Sequence, residues 1–246
     1  MSSSTPAQQS RASSLTERRK AATRMEIARA AAGLFVRHGL RATRAEDIAQ
    51  AAGIAPRTFY RYFASKEEAV APLYAAGAER WGEAFRAAPA DLSVPEALEH
   101  AVRHTLTPGV GVSAASWELV RTLIRLTDTS PALRKVWAEV SHDAEGKLGE
   151  VLAERLGEAP VRGSDAAAER GADGAPERRA DNVGSGPAQS PGLRFAAAVA
   201  SAAVRVAVEG WAAGEAPASG PKGPAAMALR NLEALRDFPW ADLARG

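Results

Sequence analysis

Apolar residues recur along most of this chain at intervals of three and four positions, which is the period of an α-helix buried on one face. The first stripe predicts a helix over residues 16–38, which Gly39 would end. Further stripes, separated by turns that contain Pro or Gly, predict helices over residues 94–106, 114–128, 131–156, 193–213 and 224–237. No stretch combines the sustained alternation of a strand with turn signals. The sequence therefore predicts an all-α protein of about nine helices.

Residues 48–66 predict two short helices joined by a sharp turn. Gly53 can adopt the left-handed conformation that such a turn requires, and Pro56 suits the first position of the second helix. Phe59 and Phe63 lie four residues apart and should point together into a small core. Two helices joined in this way predict a helix-turn-helix, whose second helix enters the major groove of DNA.

The outer face of the second helix is basic and aromatic, as expected for contacts to phosphates and base edges. With one arginine from the start of the preceding helix, the candidate DNA-binding residues are Arg44, Arg57, Thr58, Tyr60, Arg61, Tyr62 and Lys66. We expect Tyr60 and Lys66 to hold phosphates. The two arginines of the second helix and Tyr62 are the candidates for base edges, because arginine pairs well with guanine.

Residues 48–67 read IAQAAGIAPRTFYRYFASKE. This run resembles the DNA-binding domain of the TetR family of transcriptional regulators, whose pattern is close to IA..AGVS..T.Y.YF.SKE.L, and the resemblance covers roughly residues 16–75. Ala55 stands where the family usually has a capping Ser, and loss of that cap costs about 1 kcal/mol locally. The resemblance implies a homodimer that binds a palindromic operator, usually as a repressor, and is released by a small molecule. It also implies that Arg44, which lies where the family often has a phosphate-facing Thr or Ser, meets the DNA backbone.

The same resemblance divides the chain into a DNA-binding head and a helical body. We expect a disordered arm over residues 1–14, a three-helix helix-turn-helix domain over 15–66, and a ligand-binding and dimerisation domain over 67–246. Residues 157–192 contain almost nothing to bury and predict a disordered insertion within that domain.

Two capping boxes are predicted to open helices of the head and the body. Thr43–Glu46 should open the second helix near Arg44, and Ser65–Glu68 should open a fourth helix that runs to about Phe85. Pro72 lies inside that fourth helix and should kink it.

Large aromatic residues and one arginine of the body are the tentative ligand-binding set: Trp81, Phe85, Trp117, Arg121 and Trp137. Such residues commonly line a cavity between helices, although any one of them could equally fill a core. Leu123–Trp137 loosely resembles the regulators of this family that bind acyl-CoA-like ligands, which implies an apolar or acyl-like effector.

The last two predicted helices, 193–213 and 224–237, carry a wide apolar face of small residues. In the resembled family the last two helices of each subunit form a four-helix dimer interface, so we expect a homodimer through these segments. The alternative is a buried core helix within a monomer.

Charge is distributed unevenly along the chain. Residues 1–66 contain 12 Lys and Arg against 4 Asp and Glu, whereas the remainder contains 19 against 25. A basic first quarter on a slightly acidic body is typical of a nucleic-acid-binding head. Arg18, Arg19, Lys20 and Arg24 extend this charge into the first helix, where they could reach phosphates or a minor groove, or only solvate the helix end.

The sequence carries no pattern typical of catalysis or of a metal site. It contains no Cys, no Gly-rich phosphate loop and no nucleophile or zinc-protease motif. His100 and His104 are four residues apart, but no Cys or carboxylate supports a metal there. We therefore expect a protein that is not an enzyme and needs no cofactor. The alternative hypotheses are an all-α enzyme with a vestigial DNA-binding head and a ligand-blind architectural DNA binder.

The chain also carries no obvious membrane or secretion signal. No apolar run reaches the length of a membrane span, and the N-terminus is polar over Met1–Ser14. We expect a soluble cytoplasmic protein.

Overall fold

The computed structural model describes residues 6–109, 114–157, 190–240 and 242. These residues form nine α-helices and one 3₁₀ turn, with no β-strand among them, which confirms the predicted all-α fold. The helices are α1 (Pro6–His38), α2 (Ala45–Ala51), α3 (Pro56–Tyr62), α4 (Ala71–Arg86), α5 (Val94–Leu106), α6 (Ala114–Thr129), α7 (Pro131–Leu156), α8 (Pro191–Ala213) and α9 (Pro224–Glu233).

Helix α1 begins at Pro6, ten residues before its predicted start, and so includes residues 6–14 of the expected disordered arm. Proline suits the first turn of a helix, and the Ala, Gln and Arg residues that follow are good helix formers. The start of the arm, residues 1–5, and most of the predicted insertion, residues 158–189, lie outside the described residues.

The predicted capping box at Thr43–Glu46 is wrong by one residue. The Thr43 hydroxyl donates to the carbonyl of Gly39 at 2.9 Å, and Arg44 is the residue that caps α2. Its backbone N–H donates to the Asp47 carboxylate at 2.8 Å. The side chain three residues into the helix is therefore Asp47, not Glu46.

The predicted kink at Pro72 is also wrong. A 3₁₀ turn, Glu68–Val70, interrupts the expected helix, and α4 starts only at Ala71. Pro72 therefore lies in the first turn of α4, where a missing N–H breaks no helical hydrogen bond. The Ser65 hydroxyl accepts from the Glu68 N–H at 3.2 Å, and the Glu68 carboxylate accepts from the Ala64 N–H at 3.0 Å.

Helix α9 ends at Glu233, four residues before its predicted end. The chain then continues in short turns, in which the Leu235 N–H donates to Leu232 at 2.9 Å and the Phe238 N–H donates to Leu235 at 3.1 Å. Trp240 is buried against the body at the end of this segment.

The predicted N-terminal head and the body share one hydrophobic core, which we call the head core. Its buried residues are Ile27, Ala31, Ala32, Phe35, Ile48, Ala49, Phe59, Phe63, Ala69, Val70, Tyr74, Leu123, Leu133 and Val136. The last three belong to α6 and α7 of the body. These two body helices therefore pack directly against the head.

The body core lies between α4, α5, α7, α8 and α9. Helix α8 contributes mostly Ala and Val, so its neighbours approach it closely, and it packs against α6, α7 and α9. Helix α8 is long and apolar enough to cross a membrane by length and composition. Its most apolar 18-residue stretch has a mean hydropathy of 1.3, and 44% of that stretch is buried inside the protein. The prediction that no apolar run is long enough is thus wrong for α8, although the same composition suits a core helix.

Candidate nucleic-acid interface

The turn between α2 and α3 is built around Gly53. Its φ of 68° lies in the left-handed region, as predicted for this position. The Ile54 N–H donates to Ala49 at 3.0 Å and the Gly53 N–H donates to Gln50 at 3.1 Å, which is the Schellman arrangement of a helix end. Pro56 follows as the first residue of α3. This turn sets the angle between the two short helices.

Helix α3 has one buried and one exposed face. Phe59 and Phe63 are 0% and 3% exposed, and their ring centroids are 5.8 Å apart within the head core. Arg57, Tyr60 and Arg61 are exposed on the other side of the helix. Half-buried Thr58 and Tyr62 lie at the margin of this exposed face.

Tyr60 is 52% exposed and bonded to a carboxylate of α2. Its hydroxyl donates to the Glu46 Oε1 at 3.3 Å. Desolvation and the neighbouring Glu46 raise the pKa of Tyr60 above its ordinary value. Tyr60 therefore remains a neutral hydrogen-bond donor at physiological pH.

Arg44 lies beside the same carboxylate. Its side chain is 78% exposed, and its Nε is 3.6 Å from the Glu46 Oε2. A pair so exposed is worth little in water, so it restrains the guanidinium weakly and leaves it available to another anion.

Lys66 is oriented towards protein carbonyls. Its Nζ donates to the carbonyl of Leu40 at 2.7 Å and to that of Thr43 at 2.8 Å. Both acceptors belong to the turn between α1 and α2. Two of the three ammonium N–H groups are therefore used within the protein, which sequence reasoning about a phosphate-binding lysine did not foresee.

Arg24 has a comparable arrangement on α1. Its Nη1 donates to the carbonyl of Tyr62 at 2.8 Å, and its guanidinium lies 4.4 Å from the centroid of the Phe63 ring. The sequence suggested that Arg24 either reaches the DNA or solvates the end of the helix. Its side chain instead packs on the end of α3. The three other cations of the group, Arg18, Arg19 and Lys20, are exposed.

The tentative ligand-binding residues do not come together in one site. Trp81 and Phe85 lie in the body core, whereas Trp137 packs against the head core. Trp117 lies in a third cluster with Trp211, where their ring centroids are 5.3 Å apart.

Arg121 joins that third cluster and is 7% exposed. Its guanidinium lies 4.3 Å from the centroid of the Trp211 ring and donates to the carbonyl of Ala216. The predicted arginine therefore ties α6 to the segment that follows α8.

One cleft of about 790 Å³ lies between α6, α7 and α8. Of the predicted ligand-binding residues, only Trp137 lines it. The Trp137 Nε1 donates to the Glu209 Oε1 at 2.6 Å, and Arg125 and Arg205 also border the cleft. Sequence periodicity missed Glu209, because its partner Trp137 comes from a different helix, and it also missed Arg205, which pairs with Glu209 on α8 at 3.3 Å.

The described residues contain no group of three or more His, Asp or Glu side chains that could hold a metal ion. His100 and His104 are exposed, and their parallel rings have centroids 6.4 Å apart.

One protein family and several individual proteins are similar to parts of this chain. Residues 27–71 match the family model described as "Bacterial regulatory proteins, tetR family". The HTH-type transcriptional regulator TcmR of Streptomyces glaucescens is 32% identical over 145 residues, which cover 58% of this chain and 64% of TcmR. The HTH-type transcriptional repressor KstR2 of Mycobacterium tuberculosis is 50% identical over 50 residues, which cover 20% of this chain and 25% of KstR2. The matches thus span less than two thirds of these curated relatives, which are bacterial transcriptional regulators.

Two solved structures are similar to most of this chain. Salmonella enterica GusR matches with a TM-score of 0.48 and 18% identity, over 91% of this chain and 96% of that one. Thermus thermophilus FadR, a TetR-family transcriptional repressor in complex with lauroyl-CoA, matches with a TM-score of 0.47 and 21% identity, over 86% of this chain and 92% of that one.

Proposed function

We propose that this chain, whose residues 27–71 match the TetR family model, is a ligand-responsive transcriptional repressor of the bacterial cytoplasm and not an enzyme. A homodimer would bind a palindromic operator, and a small molecule held by the body would release it. The observation that carries this proposal is α3, whose buried phenylalanine face places its arginines and Tyr60 on the surface.

The proposed DNA contacts are those of the exposed face of α3 and its margin. Arg57, Arg61 and Tyr62 meet base edges in the major groove, while Thr58 and Tyr60 contact the rim of the groove and its phosphates. Arg44 approaches the DNA backbone, because its side chain is exposed at the start of α2. Lys66 differs from these residues, because two of its three ammonium N–H groups already bond protein carbonyls.

A homodimer suits this function because one short recognition helix reads only a few base pairs. Two-fold symmetry places two such helices in successive major grooves of a palindrome. Helices α8 and α9 are the proposed interface, since α8 leaves Phe195 and Val206 exposed at 55% and 52%. Large apolar side chains so exposed on one helix are consistent with a contact between subunits.

The effector is proposed to be a small apolar or acyl-like molecule that binds between α6, α7 and α8. The cleft there supports this proposal, because two of its helices also contribute Leu123, Leu133 and Val136 to the head core. A molecule that binds more tightly to one arrangement of α6 and α7 would shift the head. Such coupling is typically about 1–3 kcal/mol.

Selection from random DNA followed by a binding assay tests the proposal. Wild type should select a palindromic consensus. Arg57→Ala should abolish the preference for it, whereas Tyr60→Ala, which removes a phosphate contact, should weaken binding to the consensus and to random DNA alike. Arg80→Ala, an exposed arginine on α4, is the matched control and should bind as wild type does. If wild-type protein selects no consensus, the repressor proposal fails and an architectural DNA-binding role replaces it.

Effector release needs a separate measurement. Fatty acyl-CoA thioesters of graded chain length, added to the protein–operator complex, should lower the bound fraction for at least one chain length. Release by none of them would reject the acyl-like effector while leaving the DNA-binding proposal intact.

A further inference from the structure

We infer that Arg24 and Lys66 are positioning residues of the DNA-binding head, whose charges hold the recognition helix α3 in place instead of contacting phosphates. The inference rests on the proposed DNA-binding function. Charge and sequence position alone would place these two cations on the DNA-contacting surface of the head. The inference gives them a role within the protein instead.

Arg24 acts at the C-terminal end of α3. Tyr62 is the last residue of that helix, so its carbonyl is among those left without a helical partner, and the helix dipole is negative there. The Arg24 Nη1 donates to this carbonyl at 2.8 Å while the guanidinium lies 4.4 Å from the centroid of the Phe63 ring. One side chain thus satisfies an end carbonyl, places a positive charge at the helix end and covers a core phenylalanine.

Lys66 acts on the turn that precedes α2. Its ammonium bonds the carbonyls of Leu40 and Thr43, and the Thr43 hydroxyl bonds the carbonyl of Gly39. The turn is thereby tied to the segment that follows α3. Arg24 and Lys66 together connect α3 to α1 on one side and to the start of α2 on the other.

These contacts distinguish the two cations from the exposed arginines of the head. A cation that neutralises a phosphate contributes about 0.9 to the slope of log K against log salt concentration for each contact. A cation that bonds protein carbonyls contributes to the affinity only through the geometry of α3. Its loss should therefore weaken specific binding without changing the salt slope.

The first test compares Arg24→Gln and Lys66→Gln with wild type on the selected operator and on random DNA, across a salt series. Arg44→Gln, which removes an exposed cation, is the matched control. We expect Arg24→Gln and Lys66→Gln each to lower specific affinity about tenfold, as for loss of a charged hydrogen bond, with non-specific affinity and salt slope unchanged. Global unfolding would instead lower both affinities together.

Two outcomes would overturn the inference. One is a salt slope reduced by about 0.9 for each lost phosphate contact, as expected of Arg44→Gln. The other is unchanged specific affinity for both variants. Arg24→Lys keeps the charge but not the planar guanidinium that bonds Tyr62 while covering the Phe63 ring, so its specific affinity should still fall below that of wild type, whereas a phosphate contact would tolerate the change. If Arg24→Gln does not fold, the specific affinity of Arg24→Lys decides whether Arg24 positions α3 or contacts a phosphate.

A second test needs no DNA, so it separates failure of this inference from failure of the proposed function. Hydrogen exchange followed by mass spectrometry should show faster exchange over residues 59–63 in Arg24→Gln, with α5 and α7 unchanged. Exchange of α3 identical to that of wild type would contradict the positioning role whether or not the protein binds an operator.

Discussion

The contact between Tyr74 and α6 gives the clearest test of how the head is joined to the body. Tyr74 lies in the second turn of α4, is 7% exposed, and its hydroxyl donates to the carbonyl of Leu123 at 2.9 Å. Its ring meets Trp137 of α7 edge to face, with centroids 4.9 Å apart. The substitution Tyr74→Phe removes only the hydroxyl and keeps this ring contact.

The magnitude follows from what the substitution leaves behind. Leu123 lies inside α6, where its carbonyl also accepts a helical hydrogen bond, so no buried acceptor becomes unpaired. The loss should therefore be that of one neutral hydrogen bond, about 1 kcal/mol in the free energy of unfolding. For a chain of this size that corresponds to a fall in Tm of about 2–4 °C.

The assay is urea and thermal unfolding at one fixed protein concentration, because the proposed dimer makes apparent stability depend on concentration. Tyr60→Phe is the matched control, and its Tm should equal that of wild type because that hydroxyl is exposed. Equal Tm values for Tyr74→Phe and wild type would refute the reasoning, as would an equal loss in the two variants.

Alkaline pH adds an independent check on the same residue. Burial raises the pKa of Tyr74 above the ordinary value of 10.0 that applies in the unfolded chain. The stability linked to this group is therefore complete below pH 10 and is lost as pH rises towards the folded-state pKa. Tyr74→Phe should show a shallower loss of stability above pH 10 than wild type, and parallel curves would contradict the assignment.

Three further substitutions test local features of the chain. Ala55→Ser should supply the missing side-chain cap of α3 and raise the free energy of unfolding in urea by about 1 kcal/mol. An unchanged free energy of unfolding would mean that this helix start needs no side-chain cap. Gly53→Ala should destabilise the head by about 1–2 kcal/mol through backbone strain alone, since φ is 68° and an added Cβ meets nothing within 4 Å. The Ser93 hydroxyl, and to a smaller extent its N–H, donates to the Glu96 carboxylate and lowers the pKa of Glu96 below its ordinary value of 4.5. The folded state therefore gains stability from the ionised Glu96 above pH 4.5, and it loses that stability as pH falls through the folded-state pKa. Glu96→Gln should therefore be less stable than wild type at pH 7 but converge with it in acid, and a constant difference across unfolding curves from pH 3 to 7 would reject the assignment.

Local signals in the sequence were sufficient for most of the architecture. Helix α7 runs over the predicted residues 131–156, because Pro131 suits its first turn and Gly157 ends it with a φ of 74°. The turn at Gly53 and the buried pair Phe59 and Phe63 were also predicted correctly. Each of these features depends on residues within a few positions of one another.

The sequence misplaced features in which two local signals competed. Pro72 was predicted to interrupt a longer helix. A 3₁₀ turn precedes α4, so Pro72 lies in the first turn of a new helix. Asp47 took the capping contact expected of Glu46, because α2 begins one residue later than the motif suggested. Such choices depend on backbone geometry at single residues, which side-chain type does not specify uniquely.

What the sequence determined by itself is the all-α fold and the face that α3 presents, since helical period, Gly and Pro positions and residue polarity are properties of neighbouring positions. The tertiary structure alone decided which residues share a site. It separated Trp81, Trp117 and Trp137 into three clusters and brought Glu209 to Trp137 across 72 positions. It also turned Arg24 and Lys66 towards backbone carbonyls 38, 26 and 23 positions away. A charged side chain bonds whichever acceptor the packed helices bring within reach, and the order of residues along the chain does not contain that distance.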